Sequence, residues 1–173
     1  MGSSLLLTIG SLIMLGLFML TANGLISDNL HTAEENEYYL TALSLAQSVI
    51  DEAKSKAFDQ KAIAGPISSA ANLTAPVSLG PDAGESMSGP DTVTAGTFLS
   101  FSRFNDIDDY NGYQRIANTP RADGYIVSTA VEYANALYPD SSASTATYCK
   151  RMSVTVTSPY LSGPVALQYA FLY

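Results

Sequence analysis

Apolar and polar positions divide this chain into a front half that is helical in pattern and a back half that alternates. Residues 1–27, MGSSLLLTIGSLIMLGLFMLTANGLIS, carry no charged side chain. The first acid is Asp28 and the first strong base is Lys54. An uninterrupted apolar run of this length can cross a bilayer as a helix. No proline occurs before Pro66, so one helix can run on through Phe58. At 1.5 Å per residue it would be roughly 85 Å long. Its second half is amphipathic. Tyr39, Leu43, Ala46, Ile50, Ala53 and Ala57 recur at three- and four-residue spacings and predict one apolar stripe, widened by Leu40, Leu45 and Val49. Glu34, Glu35, Glu37, Asp51 and Glu52 are placed on the solvent side.

From Asp59 to about residue 91 the pattern lapses. Gly65-Pro66, Pro76, Gly80-Pro81, Gly84 and Gly89-Pro90 mark turns and predict a long surface loop. Period-two alternation follows. Residues 92–102 set Leu99 and Phe101 against serines. Residues 125–133 align Tyr125, Val127, Thr129, Val131 and Tyr133. Residues 150–157 set Met152, Val154 and Val156 against Ser153, Thr155 and Thr157. Residues 165–173 align Val165, Leu167, Tyr169, Phe171 and Tyr173. The expected fold is α+β: a long N-terminal helix over 1–58 packed on a small antiparallel sheet of about four strands, within a β-rich head over 59–173.

Charge and chemistry narrow the function. The 173 residues have a net charge of −8, which argues against a nucleic-acid partner. Charged residues make up only 14%, a polar but weakly charged surface that suits subunits packed side by side. The lone Cys149 cannot close an intrachain disulfide and is read as a small buried hydrophobe. His31 is the only histidine, which removes most Ser-His-Asp and Cys-His schemes. There is no Gly-rich phosphate loop and no zinc-type spacing, so the chain is not read as an enzyme. The eleven tyrosines and six phenylalanines are read as packing. Asp106, Asp108, Asp109 and Asn111 cluster before Gly112 and are a weak candidate for Ca²⁺. The spacing fails the EF-hand order, and the alternative is a turn bonded to its own backbone. Arg103, Arg115 and Arg121 are nearby partners for these acids. Asn72-Leu73-Thr74 is a formal glycosylation sequon.

An uncharged apolar N-terminus that runs into an amphipathic helix and then a small β-rich domain resembles the type IV pilins and pseudopilins. The resemblance covers the architecture of the whole chain and, at motif level, residues 1 to about 58. It implies that a basic leader has been removed by a leader peptidase, with Met1 the mature and commonly N-methylated terminus. It also implies an extracellular filament on the cell surface, anchored in the inner membrane before assembly. The partners would be copies of the chain itself and a pilus assembly machinery. No cofactor is expected, calcium apart. Met1, Leu5, Leu6, Ile9, Leu12, Ile13, Leu17 and Leu20 are the candidate assembly core. Small residues such as Gly2, Ser3, Gly10 and Gly16 would allow close helix approach. Two departures stand out. The family usually carries a glutamate at the fifth mature position, where this chain has Leu5. It often has a proline near the twenty-second, where this chain has Ala22, and Asn23-Gly24 is the candidate helix-loosening site in its stead. The competing reading is a monomeric, signal-anchored surface protein for binding or adhesion.

Overall fold

The structure of the chain, a computed structural model, describes residues 2–94 and 96–173. It has the α+β architecture the patterning predicts. Helix α1 spans Gly2–Lys54 without interruption. A five-stranded sheet follows, formed by β1 (Asp91–Thr92), β2 (Gln114–Ala117), β3 (Tyr125–Tyr133), β4 (Cys149–Thr157) and β5 (Val165–Leu172). The strands lie side by side in chain order. Only β1 and β2 run parallel. The chain divides into two compact units, one ending at Glu37 and the other running from Tyr38 to Tyr173.

Within Tyr38–Tyr173 the core lies between α1 and one face of the sheet. Helix α1 buries Ala42, Ala46, Val49, Ile50 and Ala53. Of the expected stripe, Ala46, Ile50 and Ala53 face inward, while Tyr39 and Leu40 are exposed. Val49, expected at the edge of the stripe, is fully buried, and Ala42, outside the expected stripe, takes the remaining inner position. The buried face is therefore rotated, so that small side chains meet the sheet and let the backbones approach closely. Ala46 has no exposed surface. Ala46→Leu inserts volume with nowhere to go and should destabilise this unit by about 1–3 kcal/mol. A shift in the chemical-denaturation midpoint measures it.

Helix α1 ends earlier than expected. The chain leaves α-geometry after Lys54, with Ser55 N donating to Glu52 O at 3.0 Å and Lys56 N to Ala53 O at 3.0 Å. Ala57 then pairs with the segment after Phe104: Ala57 N donates to Asn105 O and Ile107 N donates to Ala57 O, both at 3.0 Å. A residue committed to that pairing cannot also continue the helix.

Strands β3, β4 and β5 fall almost where alternation places them. Tyr125, Val127, Thr129, Val131 and Tyr133 are all buried. Val127 lies opposite Val156, Val131 opposite Met152 and Tyr133 opposite Lys150. In β5 the alternation is only partly used, since Val165 and Phe171 are buried but Tyr169 is 40% exposed. The expected strand over 92–102 is not formed. It shortens to β1, and Ser100–Arg103 form helix α2 instead. Two local effects override its alternation. Gly96 adopts φ +89°, where glycine is favoured, and Thr94 pairs back on Thr97. The Asp91 carboxylate accepts from Leu99 N at 3.1 Å and Ser100 N at 3.0 Å, which satisfies donors at the start of the helical turn. Strand β2, absent from the expectation, pairs Gln114–Ala117 with β3 and brings the sheet to five.

Candidate functional site

Two features rise above ordinary packing. The first is the apolar part of α1. No residue from Gly2 to Thr41 is buried. The candidate assembly residues Leu5, Leu6, Ile9, Leu12, Ile13, Leu17 and Leu20 are between 47% and 72% exposed. Met1 lies outside the described residues. The helix is long and apolar enough, by length and composition, to cross a membrane. Three of its polar side chains bond back onto the helix. Thr8 Oγ1 donates to Leu5 O, Ser11 Oγ to Thr8 O and Thr21 Oγ1 to Leu17 O, each at 2.9 Å. Such bonding back onto the helix leaves few polar groups seeking water, which suits an apolar environment. Asn23 and Gly24 are helical in the free chain. The loosening expected there concerns an assembled state.

The second feature is a charge cluster sealed in the head. Lys150 occupies an inward position of β4, in register with Met152, Val154 and Val156. It has no exposed surface. Its Nζ donates to Phe58 O at 2.7 Å and to Asp59 Oδ2 at 3.0 Å, and it is in direct contact with Asp108 Oδ1. The Phe58 ring lies 4.6 Å from Nζ and the Tyr133 ring 5.4 Å. Asp59 caps the short helical turn Gln60–Ile63 by accepting from Lys61 N at 3.1 Å. It also accepts from Thr74 N at 3.0 Å, from the Thr74 hydroxyl at 3.1 Å and from the Tyr133 hydroxyl at 3.3 Å. Burial raises its pKa, but these bonds and Lys150 outweigh that and hold it below the usual carboxylate range. Asp59 thus binds the end of the helical segment, the loop at Thr74 and strand β4 together.

Asp106 and Asp108 behave oppositely. Asp106 Oδ1 accepts from Asp108 N at 2.8 Å and Asp109 N at 3.3 Å. Burial, reinforced by the charges of Asp108 and Asp109 and opposed by Lys150, pushes its pKa up to about 8. Burial likewise raises Asp108 to about 6 against the pull of Lys150. The folded chain therefore keeps a proton on Asp106 between pH 4 and 8, where the unfolded chain has lost it. Stability from this group falls as pH rises through that window. The lowered Asp59 acts the other way, but only below its ordinary titration range near 3.8. Asp106→Asn keeps the Oδ1 acceptor and removes the titration. Thermal unfolding of the wild type should weaken from pH 5 to pH 8, by roughly 3–4 kcal/mol from Asp106 alone, and the variant should lose that share of the slope while the smaller share from Asp108 remains.

A second ion pair joins α1 to β2. Arg115, 2% exposed, donates through Nη1 to Glu52 Oε2 at 3.2 Å and through Nη2 to Leu45 O at 3.3 Å, and also bonds Ser48 Oγ. The Phe98 ring lies 4.4 Å from the guanidinium carbon. Tyr110 hydroxyl completes the group by donating to Glu52 Oε1 at 2.9 Å. Glu52, expected on the solvent side of the helix, thus faces inward. Arg115, expected to pair with the 106–109 acids, pairs across to the helix.

No protein family matches this chain, and neither does any curated protein or solved structure.

The remaining candidates are placed as follows. Asp106, Asp108, Asp109 and Asn111 do not form a calcium cage. Asp106 and Asp109 turn onto neighbouring backbone amides, with Asp109 Oδ2 accepting from Asn105 N at 2.8 Å and Asp106 N at 3.1 Å. Asp108 is taken by Lys150. Asn111 bridges Leu79 O at 2.9 Å and Val131 N at 3.0 Å. Among the described residues no group of three or more His, Cys, Asp or Glu side chains is arranged to hold a metal ion. Asn72 is exposed in a short helical turn, Ala70–Asn72, while Thr74 of the same sequon is tied to Asp59. Cys149 is buried, and desolvation raises its thiol pKa, so it is a packing residue. No motif singles out Lys150 or Asp59. The available signal was a lysine on the apolar register of the most regular strand in the chain.

Proposed function

We propose that this chain is the structural subunit of an extracellular filament of the type IV pilin kind, assembled by bundling the apolar half of α1. One observation carries the reading: an uninterrupted helix whose apolar stretch buries nothing within the chain, joined to an independently packed unit that begins at Tyr38. So much exposed apolar surface needs another medium, and lipid or further copies of the helix provide it. Before assembly the segment sits in the membrane. On assembly it exchanges lipid for neighbouring helices, so packing and close approach at small residues decide the balance. At Gly10, Gly16 and Gly24 no atom beyond the adjoining residues and the helix's own backbone lies within 4 Å of the point where a Cβ would stand, which leaves the helix surface there open to a neighbour.

Electron microscopy of material sheared from cells, with the filament subunit identified by mass spectrometry, tests the proposal. Filaments built from this chain are expected. Recovery solely as a detergent-soluble monomer from membranes would favour the anchored surface protein instead.

A further inference from the structure

The Lys150 cluster combines features that a simple salt bridge does not require. One amine with no exposed surface touches two carboxyl groups, from Asp59 and Asp108, and a third, Asp106, lies near enough to feel its charge. The two carboxylates that touch the amine differ. Asp59 accepts from four donors besides Lys150. Asp108 presents Oδ1 to Lys150, and its buried Oδ2 has only the Thr74 hydroxyl nearby, which already donates to Asp59. An unpartnered buried oxygen on a group already against an amine calls for an explanation.

We propose that Lys150 and Asp108 join in an intramolecular amide bond, a covalent cross-link between β4 and the 3₁₀ turn Asp108–Tyr110. The step is a condensation that needs no outside reagent. A proton passes from the Lys150 ammonium to the Asp108 carboxylate, leaving an amine and a carboxylic acid in contact. Nζ then attacks Cγ. Asp59, ionised and 3.0 Å from Nζ, takes the proton that nitrogen sheds as the C–N bond forms. The C–O bond to Oδ1, the oxygen that took the first proton, breaks, and the departing hydroxide recovers the second proton from Asp59 and leaves as water, while Oδ2 becomes the amide carbonyl oxygen. Asp59 ends as it began, and the net change is amine plus carboxylic acid to amide plus water.

Three physical features favour this course. The fold holds the reacting groups in contact, which replaces an encounter between separate molecules by a local step. The rings of Phe58 and Tyr133, 4.6 and 5.4 Å from Nζ, favour a neutral amide over a buried ion pair and disfavour retention of the product water beside it. The neighbouring Asp106 stays protonated at neutral pH, so it adds no repulsion as charge develops on the Asp108 oxygen. Asp59 is excluded as the acyl partner because its oxygens are occupied by donors that stabilise the ionised form. This inference does not depend on the filament reading.

The test is mass spectrometry of the full chain, purified in detergent and then denatured. The expected intact mass is lower than that of the sequence by one water. Trypsin should leave Lys150 uncut and release peptide 104–115 joined to peptide 122–151. Asp108→Asn should change the loss from water to ammonia, Asp108→Ala should abolish it, and Asp59→Asn should leave much of the chain unlinked. The wild-type measurement stands even if a variant fails to fold. Full sequence mass with cleavage at Lys150 would overturn the proposal. So would a loss of water confined to one unlinked peptide, which signals a cyclised aspartate, or a link from Lys150 to Asp59.

Discussion

Glu52→Ala is expected to cost the unit Tyr38–Tyr173 a large share of its stability. The change removes the counter-charge of Arg115, whose side chain is 3% exposed. Leu45 O and Ser48 Oγ still accept from the guanidinium, but neither neutralises it. The Tyr110 hydroxyl loses its acceptor in the same step. Breaking a buried ion pair from one side costs about 3–5 kcal/mol. A domain of this size has about 5–15 kcal/mol in all, so the variant should lose a large share of its stability. Exchanging both partners, as Glu52→Leu with Arg115→Met, should recover most of the loss, because the desolvation cost of the pair disappears with the charges. Chemical denaturation of the three proteins decides it. A single-variant loss below about 1 kcal/mol would mean that water reaches Arg115 and that the pair behaves as a surface contact.

The same pair shows where the sequence could be read and where it could not. Strands β3 and β4 were legible because period-two alternation records burial on one face, and their inner residues are buried as the pattern requires. Helix α1 was legible as a helix, but its rotation was not. Three- and four-residue spacing is satisfied by neighbouring stripes, and the choice between Tyr39 and Ala42 as an inner residue depends on how closely the sheet can approach. Glu52 and Arg115 were misplaced because a charged residue is normally read as solvent-facing, and only the partner across the core reverses that. The segment 92–102 failed for a different reason. A turn at Gly96 and the Asp91 carboxylate are local effects of few residues, yet they outweigh alternation over a short window. Lys150 was within reach, since the strand alternation that places Met152 inward places Lys150 inward too. Its acid partners come from positions 42 and 91 residues away, and no spacing rule relates them. The apolar N-terminal segment was the plainest feature of all, because its lack of charge is a composition fact. Nothing among the described residues buries it, and in the proposed filament neighbouring copies would.

That partner is the subject of the second large effect. Leu12→Glu places an ionisable group in the middle of the apolar stretch, on a residue 67% exposed in the isolated chain. In the proposed membrane-held state before assembly the penalty is moderate. A charged side chain at the centre of a spanning helix costs about 3 kcal/mol on insertion scales, softened by local water and by reaching toward the interface. In a bundle of helices neither relief exists, and every subunit carries the group. The cost therefore recurs at each addition and falls on assembly rather than on folding. Filaments should be lost from sheared fractions, while the chain persists in membranes and the denaturation midpoint of the unit beginning at Tyr38 stays within about 0.5 kcal/mol of the wild type. Leu12→Met, which keeps volume and polarity, should assemble normally and serves as the control. Normal filament yield from Leu12→Glu would show that this face of α1 meets water in the assembled state. The bundled apolar core would then have to be abandoned, whatever the filament is made of.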